Sequence, residues 1–376
     1  MRRLAARARW RSGCARAVAL ASAAALSAAC GAPVGGTTSS SRVTTTTVLP
    51  ASFHVGIHTF SLDDTAATHI GPSGGQLAGR ILTTQVRYPT LAGSSGKELR
   101  DATAATAGAP YPVIVFAHGF DTEPSQYAAL LDSWARAGFV VVSPIFPDEN
   151  AKAVTAAGGP GNNDLESDEF NEPGDIVFVL RHLSALSGLP WGSHLKGVLN
   201  LSDIGLAGQS DGADVVAALS YASGFRGLYD ELPSTPRAVA VMSGELWTTT
   251  LSGTSLAYAG SPSAPALLQM QSDADGCVAP SSAVALWKKV EGGLSSKWFV
   301  TFLGASHLDP FQGASPWAAV AATVTTRFFE LTLRWRTASV SDASIVRAGT
   351  VSGVAETSQR RGVHMPAARA NGGCFP

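Results

Sequence analysis

The sequence predicts an α/β fold with a mostly parallel central sheet and helices on both faces. Three observations predict it. Continuous apolar runs such as Pro112–Ala117 and Phe139–Pro144 have the composition of strands buried on both faces. Segments with one apolar helical face alternate with those runs. The residues best suited to chemistry stand at the ends of the runs, where open α/β sheets bind their ligands.

The chain has 376 residues, 45% of them hydrophobic and 15% charged, enough apolar material for one large core and too little charge for disorder. The net charge is −1 and there is no basic stripe in the mature region, so nucleic acid is not expected as a partner.

The elements follow in order. Residues 51–110 read as edge strands and loops, with Gly79–Pro89 alternating apolar and polar residues as a half-exposed strand does. Gly93–Pro110 is small and polar and reads as a loop. Pro112–Ala117 is the first buried strand, Tyr127–Ala137 a helix, and Phe139–Pro144 the second buried strand. Ala151–Glu172 is rich in Gly and acid and reads as a loop, and Asp175–Leu186 as a helix with Ile176, Val179, Leu180 and Leu183 on one face. Ile204–Ala207, Ala238–Met242, Ala266–Met270 and Lys297–Phe302 complete the strands, with a helix over Ala213–Tyr221 and a closing helix over Trp317–Trp335.

The N-terminus is a different kind of sequence. Six arginines lie within the first sixteen residues and an Ala-rich apolar run follows, which is the pattern of an export signal over residues 1–30. Leu26–Gly31 resembles the lipobox of bacterial lipoproteins. That resemblance implies lipidation of Cys30 and membrane attachment through it; ordinary cleavage near the same point is the other reading. Residues 31–50 are rich in Ser, Thr and Gly and read as a flexible tether. The expected location is therefore outside the cell, secreted or lipid-anchored. Outside the signal and Cys30, the cysteines are Cys277 and Cys374, which in an exported chain are expected to pair. Without a CxxC or HExxH spacing, no metal and no cofactor is expected.

Gly208-Gln209-Ser210-Asp211-Gly212 is a G-x-S-x-G between a buried strand and an Ala-rich helix. That context makes it a nucleophile elbow with Ser210 as nucleophile. A serine hydroxyl needs a base, and His307, after the last parallel strand, is the candidate among the histidines. The base needs an acid. Asp275 and Asp273 both follow the fifth buried strand; Asp275, further into the loop, is favoured, and Asp273 is expected to cap the turn. The order Ser, Asp, His is the one this elbow usually carries. The oxyanion hole is expected from the backbone N–H groups of Asp211 and Phe120, with His118 holding the latter's loop in place.

Phe116–Phe120, Asn171–Asp175, Gly208–Ala213, Asp275–Pro280 and Gly304–His307 together resemble the α/β-hydrolase branch that contains platelet-activating-factor acetylhydrolases, chlorophyllases and bacterial cutinases. The resemblance spans Gly79 to about Trp335 and implies a serine esterase of the α/β-hydrolase fold acting on a small, lipid or polymeric ester; the catalytic domain is expected over residues 51–338, and the protein is expected as a monomer. It also implies that Trp247 lines the substrate cleft, with simple packing as the alternative. Residues 339–376 read as a tail tied by the disulfide. A serine peptidase or amidase of the same fold, or a non-catalytic binding protein on this scaffold, is the competing reading.

Overall fold

The computed structural model describes residues 52–71, 75–94, 96–160, 166–186, 195–225, 228, 232, 234–250, 253–335 and 340–359. The chain divides into two units, Met1–Thr46 and Thr47–Pro376, and every described residue belongs to the second. The expected export signal, tether, Cys30 and Cys374 lie outside the described residues.

Ten strands form one sheet: β1 (His54–Ile70), β2 (Gln76–Thr90), β3 (Glu98–Arg100), β4 (Tyr111–Ala117), β5 (Val140–Ile145), β6 (Leu199–Gln209), β7 (Ala238–Met242), β8 (Ala266–Ser272), β9 (Lys297–Phe302) and β10 (Ala355–Ser358). Their order is β10-β9-β8-β7-β6-β4-β5-β2-β1-β3. The run from β5 through β4 to β9 is parallel, and β1–β2, β2–β5 and β9–β10 pair antiparallel. The helices are α1 (Ala128–Ala137), α2 (Ala151–Ala156), α3 (Glu172–Leu186), α4 (Asp211–Tyr221), α5 (Pro280–Val290), α6 (Pro316–Thr332) and α7 (Asp342–Ala348).

The two faces of the sheet carry separate cores, because side chains alternate along a strand. On β4, Val113 and Val115 join the cluster that includes Val215 and Val216 of α4, while Ile114 and Phe116 join the one that includes Trp134 of α1 and Phe328 of α6. Every residue of β4 is buried, as its unbroken apolar run requires.

Three expectations are corrected. Gly93–Pro110 is not loop throughout, because β3 forms there by pairing with β1 through Gly56↔Leu99. The stretch 151–172 is not loop throughout: α2 forms because the Asn150 side chain accepts from Lys152 and Ala153 N–H, and a 3-10 turn spans Glu166–Phe170. The segment after residue 338 is not only a tail. α7 packs near α6, and β10 adds to the sheet through Ala355↔Phe302 and Ser358↔Phe299.

Asn171–Asp175 anchors the front of the sheet. Asn171 Oδ1 accepts from Ile70 N–H at 3.0 Å, and its Nδ2 donates to Ile70 O at 2.9 Å and to Asp168 Oδ1 at 2.9 Å. Arg80 of β2, 4% exposed, donates to both oxygens of Asp175 at 2.8 Å and to Asp168 at 2.7 Å. The ribbon of β1 and β2 is thus fastened to α3 by charge-assisted bonds.

Candidate active site

β6 runs between β4 and β7 and ends at Gln209, so the following residue stands at the carboxyl edge of the sheet. Ser210 there has φ 56 and ψ −126, a conformation L-residues rarely adopt. The turn is held from both sides. Ser210 N–H donates to Met242 O at 3.0 Å, and Ser210 O accepts from Ala213 N–H at 2.7 Å, the first link of α4. The flanking glycines are required by space. A Cβ on Gly208 would lie 2.0 Å from Gly212 O, and one on Gly212 would lie 2.4 Å from Ala117 O. Backbone strain, glycine packing and a helix start coincide at one side chain.

The loop after β8 and the loop after β9 meet beside this turn. His307 Nδ1 lies 2.9 Å from Asp275 Oδ2. Asp275 also receives Gln271 Nε2 at 2.9 Å, Cys277 N–H at 2.9 Å and Val278 N–H at 3.0 Å. Burial works against its charge, but the hydrogen bond and charge of His307 and the two backbone donors more than offset it, and Asp275 is held below the ordinary carboxylate range. An ionised Asp275 fixes the proton of His307 on Nδ1 and leaves Nε2 as an acceptor.

Asp273 is engaged differently. Its Oδ1 accepts from Gly304 N–H at 2.6 Å, which staples the loop after β8 to the loop that carries His307.

In this structure Ser210 and His307 are not bonded to each other. Ser210 Oγ points to Asp211 Oδ1 at 3.3 Å, and His307 Nε2 lies 3.0 Å from Gln209 Nε2. His307 Nε2 is thus met by the Gln209 amide rather than by the serine hydroxyl, and such catalytic contacts commonly tighten only when substrate binds.

The loop after β4 faces the elbow. His118 is fully buried; its Nδ1 bonds Gly119 O at 2.9 Å and its Nε2 accepts from Phe146 N–H at 3.0 Å. Burial lowers its pKa to about 4, so at neutral pH it is an uncharged brace. Asp121 N–H donates to Glu149 O at 2.9 Å, and Thr122 Oγ1 to Gly119 O. Among the described residues the Phe120 N–H makes no hydrogen bond.

A second group of acids lies behind this loop. Glu149 and Glu172 are fully buried and receive no donor from the other described residues; their carboxyls face each other. Burial pushes both well above the ordinary range, and the charge of Glu149 adds to the effect on Glu172. Burial, then the charges of Asp211 and Glu169, raise Asp214 in the same way. Composition does not reveal this pairing, because the two glutamates come from segments that meet only in the folded chain.

Trp247 is 6% exposed and belongs to the core cluster on the α4 face. Its ring packs against Phe170 and Phe225 at 4.9 and 5.7 Å, and its N–H donates to Glu169 at 3.1 Å. Cys277 is disulfide-bonded. Among the described residues no group of three or more His, Cys, Asp and Glu side chains is arranged to hold a metal ion.

A family model described as platelet-activating factor acetylhydrolase, isoform II, matches residues 76–172, from β2 to the first residue of α3. Among solved structures the chain is similar to a ferulic acid esterase from Streptomyces cinnamoneus, at 17% identity and a TM-score of 0.55, over 79% of this chain and 94% of that one. No curated protein matches. The parallel run of the sheet, the strained serine between β6 and α4, the partial family match and the structural likeness agree on the architecture: the chain has the α/β-hydrolase fold.

Proposed function

We propose that the chain is an exported serine hydrolase that cleaves carboxylic esters through an acyl-enzyme, with Ser210 as nucleophile, His307 as base and Asp275 as the acid that orients it. The observation that carries this reading is the meeting of a strained Ser210 with the His307–Asp275 pair at one edge of the sheet. In the first step Ser210 Oγ turns from Asp211 to His307 Nε2, gives up its proton there and attacks the ester carbonyl. The oxyanion is received by the N–H groups of Phe120 and Asp211, each contributing on the order of 3–4 kcal/mol to the barrier reduction. His307 then returns the proton to the alkoxide that leaves. Water repeats the sequence on the acyl-enzyme with His307 as base.

The match to an acetylhydrolase model and the likeness to an esterase support esters over amides as substrates. A fluorophosphonate should label Ser210, and a series of p-nitrophenyl esters should turn over while the matching anilide does not. Ser210→Ala should abolish both labelling and turnover with the melting temperature retained. Labelling elsewhere, or a faster anilide, would overturn the assignment. The contacts of Trp247 fit a packing role better than an exposed cleft wall.

Export rests on the N-terminal sequence, and lipidation of Cys30 predicts that Cys30→Ser moves the protein out of the membrane fraction. Equal partition of both forms leaves plain secretion. The partner of Cys277 is read as Cys374, which would tie the C-terminus two residues from Asp275. Non-reducing peptide mapping decides it: a 277–374 cross-linked peptide is expected, and a free Cys374 thiol contradicts it.

A further inference from the structure

We propose that Gln209 is a positioning residue of the hydrolase, which holds His307 Nε2 in the resting enzyme and couples the base to the oxyanion loop. The proposal rests on the catalytic reading above, since it concerns what the base does before the serine reaches it.

Gln209 is fully buried, and its amide bridges two groups. On one side Tyr127 Oη lies 2.5 Å from Oε1; on the other Nε2 lies 3.0 Å from His307 Nε2. The orientation of an amide follows from its neighbours. Asp275 accepts from His307 Nδ1, so in the neutral ring Nε2 is a lone pair and must face a donor. The amide N–H of Gln209 is that donor, and its Oε1 is then left to accept from the Tyr127 hydroxyl. Burial raises Tyr127 to about 12, which keeps it a donor throughout the working range.

The result is a chain of close polar contacts from one half of the site to the other, in which Tyr127 gives its proton to Gln209 and abuts the Thr122 hydroxyl. Thr122 Oγ1 binds Gly119 O, Tyr127 Oη lies 3.2 Å from Thr122 Oγ1 and reaches Gln209, Gln209 reaches His307, and His307 reaches Asp275. Gly119 and Thr122 flank Phe120, whose N–H is the proposed oxyanion donor. Meanwhile Ser210 Oγ is turned to Asp211. Gln209 thus occupies the lone pair that Ser210 must use, and the serine displaces it when it turns.

A donor to the neutral ring favours the neutral ring. The side chains bonded to His307 are Asp275 from the loop after β8 and Gln209 from the elbow, with Tyr127 of α1 behind Gln209. Removing the Gln209 N–H removes the contact that opposes protonation at Nε2, while the Asp275 carboxylate that favours it stays.

The test uses the full chain and three variants. In Gln209→Met, which keeps the length and loses the donor, the acid limb of the kcat/KM profile should move to higher pH by about half a unit or more. Gln209→Glu puts an acceptor where the donor was and should move it further. Tyr127→Phe frees Oε1 and lets the amide turn, and should move it least. A merely structural role would lower the melting temperature and scale kcat without moving the limb. Limbs that coincide with the wild type, or move to lower pH, overturn the proposal. A second measurement does not depend on turnover. In a Ser210→Ala background, the ring nitrogen signals of His307 should convert to the doubly protonated pattern at a higher pH when Gln209→Met is added than when Gln209 is kept. Coincident conversion refutes the role of Gln209, whereas absence of fluorophosphonate labelling in the wild type refutes the hydrolase reading instead.

Discussion

Two sets of buried carboxylates differ in the direction in which their proton affinity is shifted. Asp275 is buried and held below the ordinary carboxylate range; Glu149 and Glu172 are buried and pushed well above it. Burial is the largest influence on all three, and it acts in the same direction. The difference is in the donors. Asp275 faces an amide, two backbone N–H groups and an imidazole N–H. The two glutamates face each other, so a shared proton is what turns repulsion into a hydrogen bond. A carboxylate's charge in this protein is therefore set by the donors its loop supplies, and a buried acid is by itself no sign of catalysis.

The largest effect expected from breaking this contrast is at Asp275. Asp275→Asn presents an amide to His307 and favours the wrong tautomer, so kcat should fall about 10⁴-fold. Asp273→Asn keeps an oxygen that can accept from Gly304 N–H and loses only the charge on that bond, so it should lower kcat less than about tenfold, with at most about 1 kcal/mol of stability. Steady-state kinetics on the pair decide between the two acids, and the reverse ranking would move the catalytic role to Asp273.

Next in size is the removal of a buried cation. Arg80→Met leaves Asp168 and Asp175 without their partner, and the loss should be about 3–5 kcal/mol by urea unfolding. A change under about 1 kcal/mol would show that the acids take protons at little cost.

The smallest effect is the most direct test of the Glu149–Glu172 pair. The folded pair keeps a proton that the unfolded carboxyls release above their ordinary values. From there up to the raised folded value, the native state binds more protons, so stability falls as pH rises, by at most about 1.4 kcal/mol per pH unit for one proton. Below that window the contribution is constant. Glu172→Gln should flatten this slope and leave the wild type and variant closest at acidic pH. An unchanged slope between acid and neutral pH would mean that the pair does not share a proton.

Much of the site is legible in the chain because its requirements are local. The elbow needs glycines at two positions where a Cβ would strike backbone, and Gly208 and Gly212 stand there. Asp275 and His307 need only to follow buried strands, and β8 and β9 are apolar enough to be read directly. The two candidate acids were harder to separate. Asp273 and Asp275 have the same chemistry and differ in which atoms they meet: Gly304 N–H for one, His307 for the other. β10 was not legible at all, because Ala-Glu-Thr-Ser has no apolar alternation and becomes a strand only by pairing with β9. The helix α2 was hidden by composition, and Asn150 supplies the cap that starts it.

The sequence alone determined the parallel α/β core, the tight turn at Ser210 and the strand ends from which Asp275 and His307 project, since each depends on side-chain periodicity or on backbone conformations that only certain residues permit. Tertiary structure decided which side chains touch. Gln209 stands on His307 Nε2, and Glu149 and Glu172 share a buried site. Arg80 bridges Asp168 and Asp175 across more than eighty residues of chain. Such contacts join segments distant in the chain, and hydrogen bonds and proton affinities depend on ångström-scale distances that no local pattern encodes.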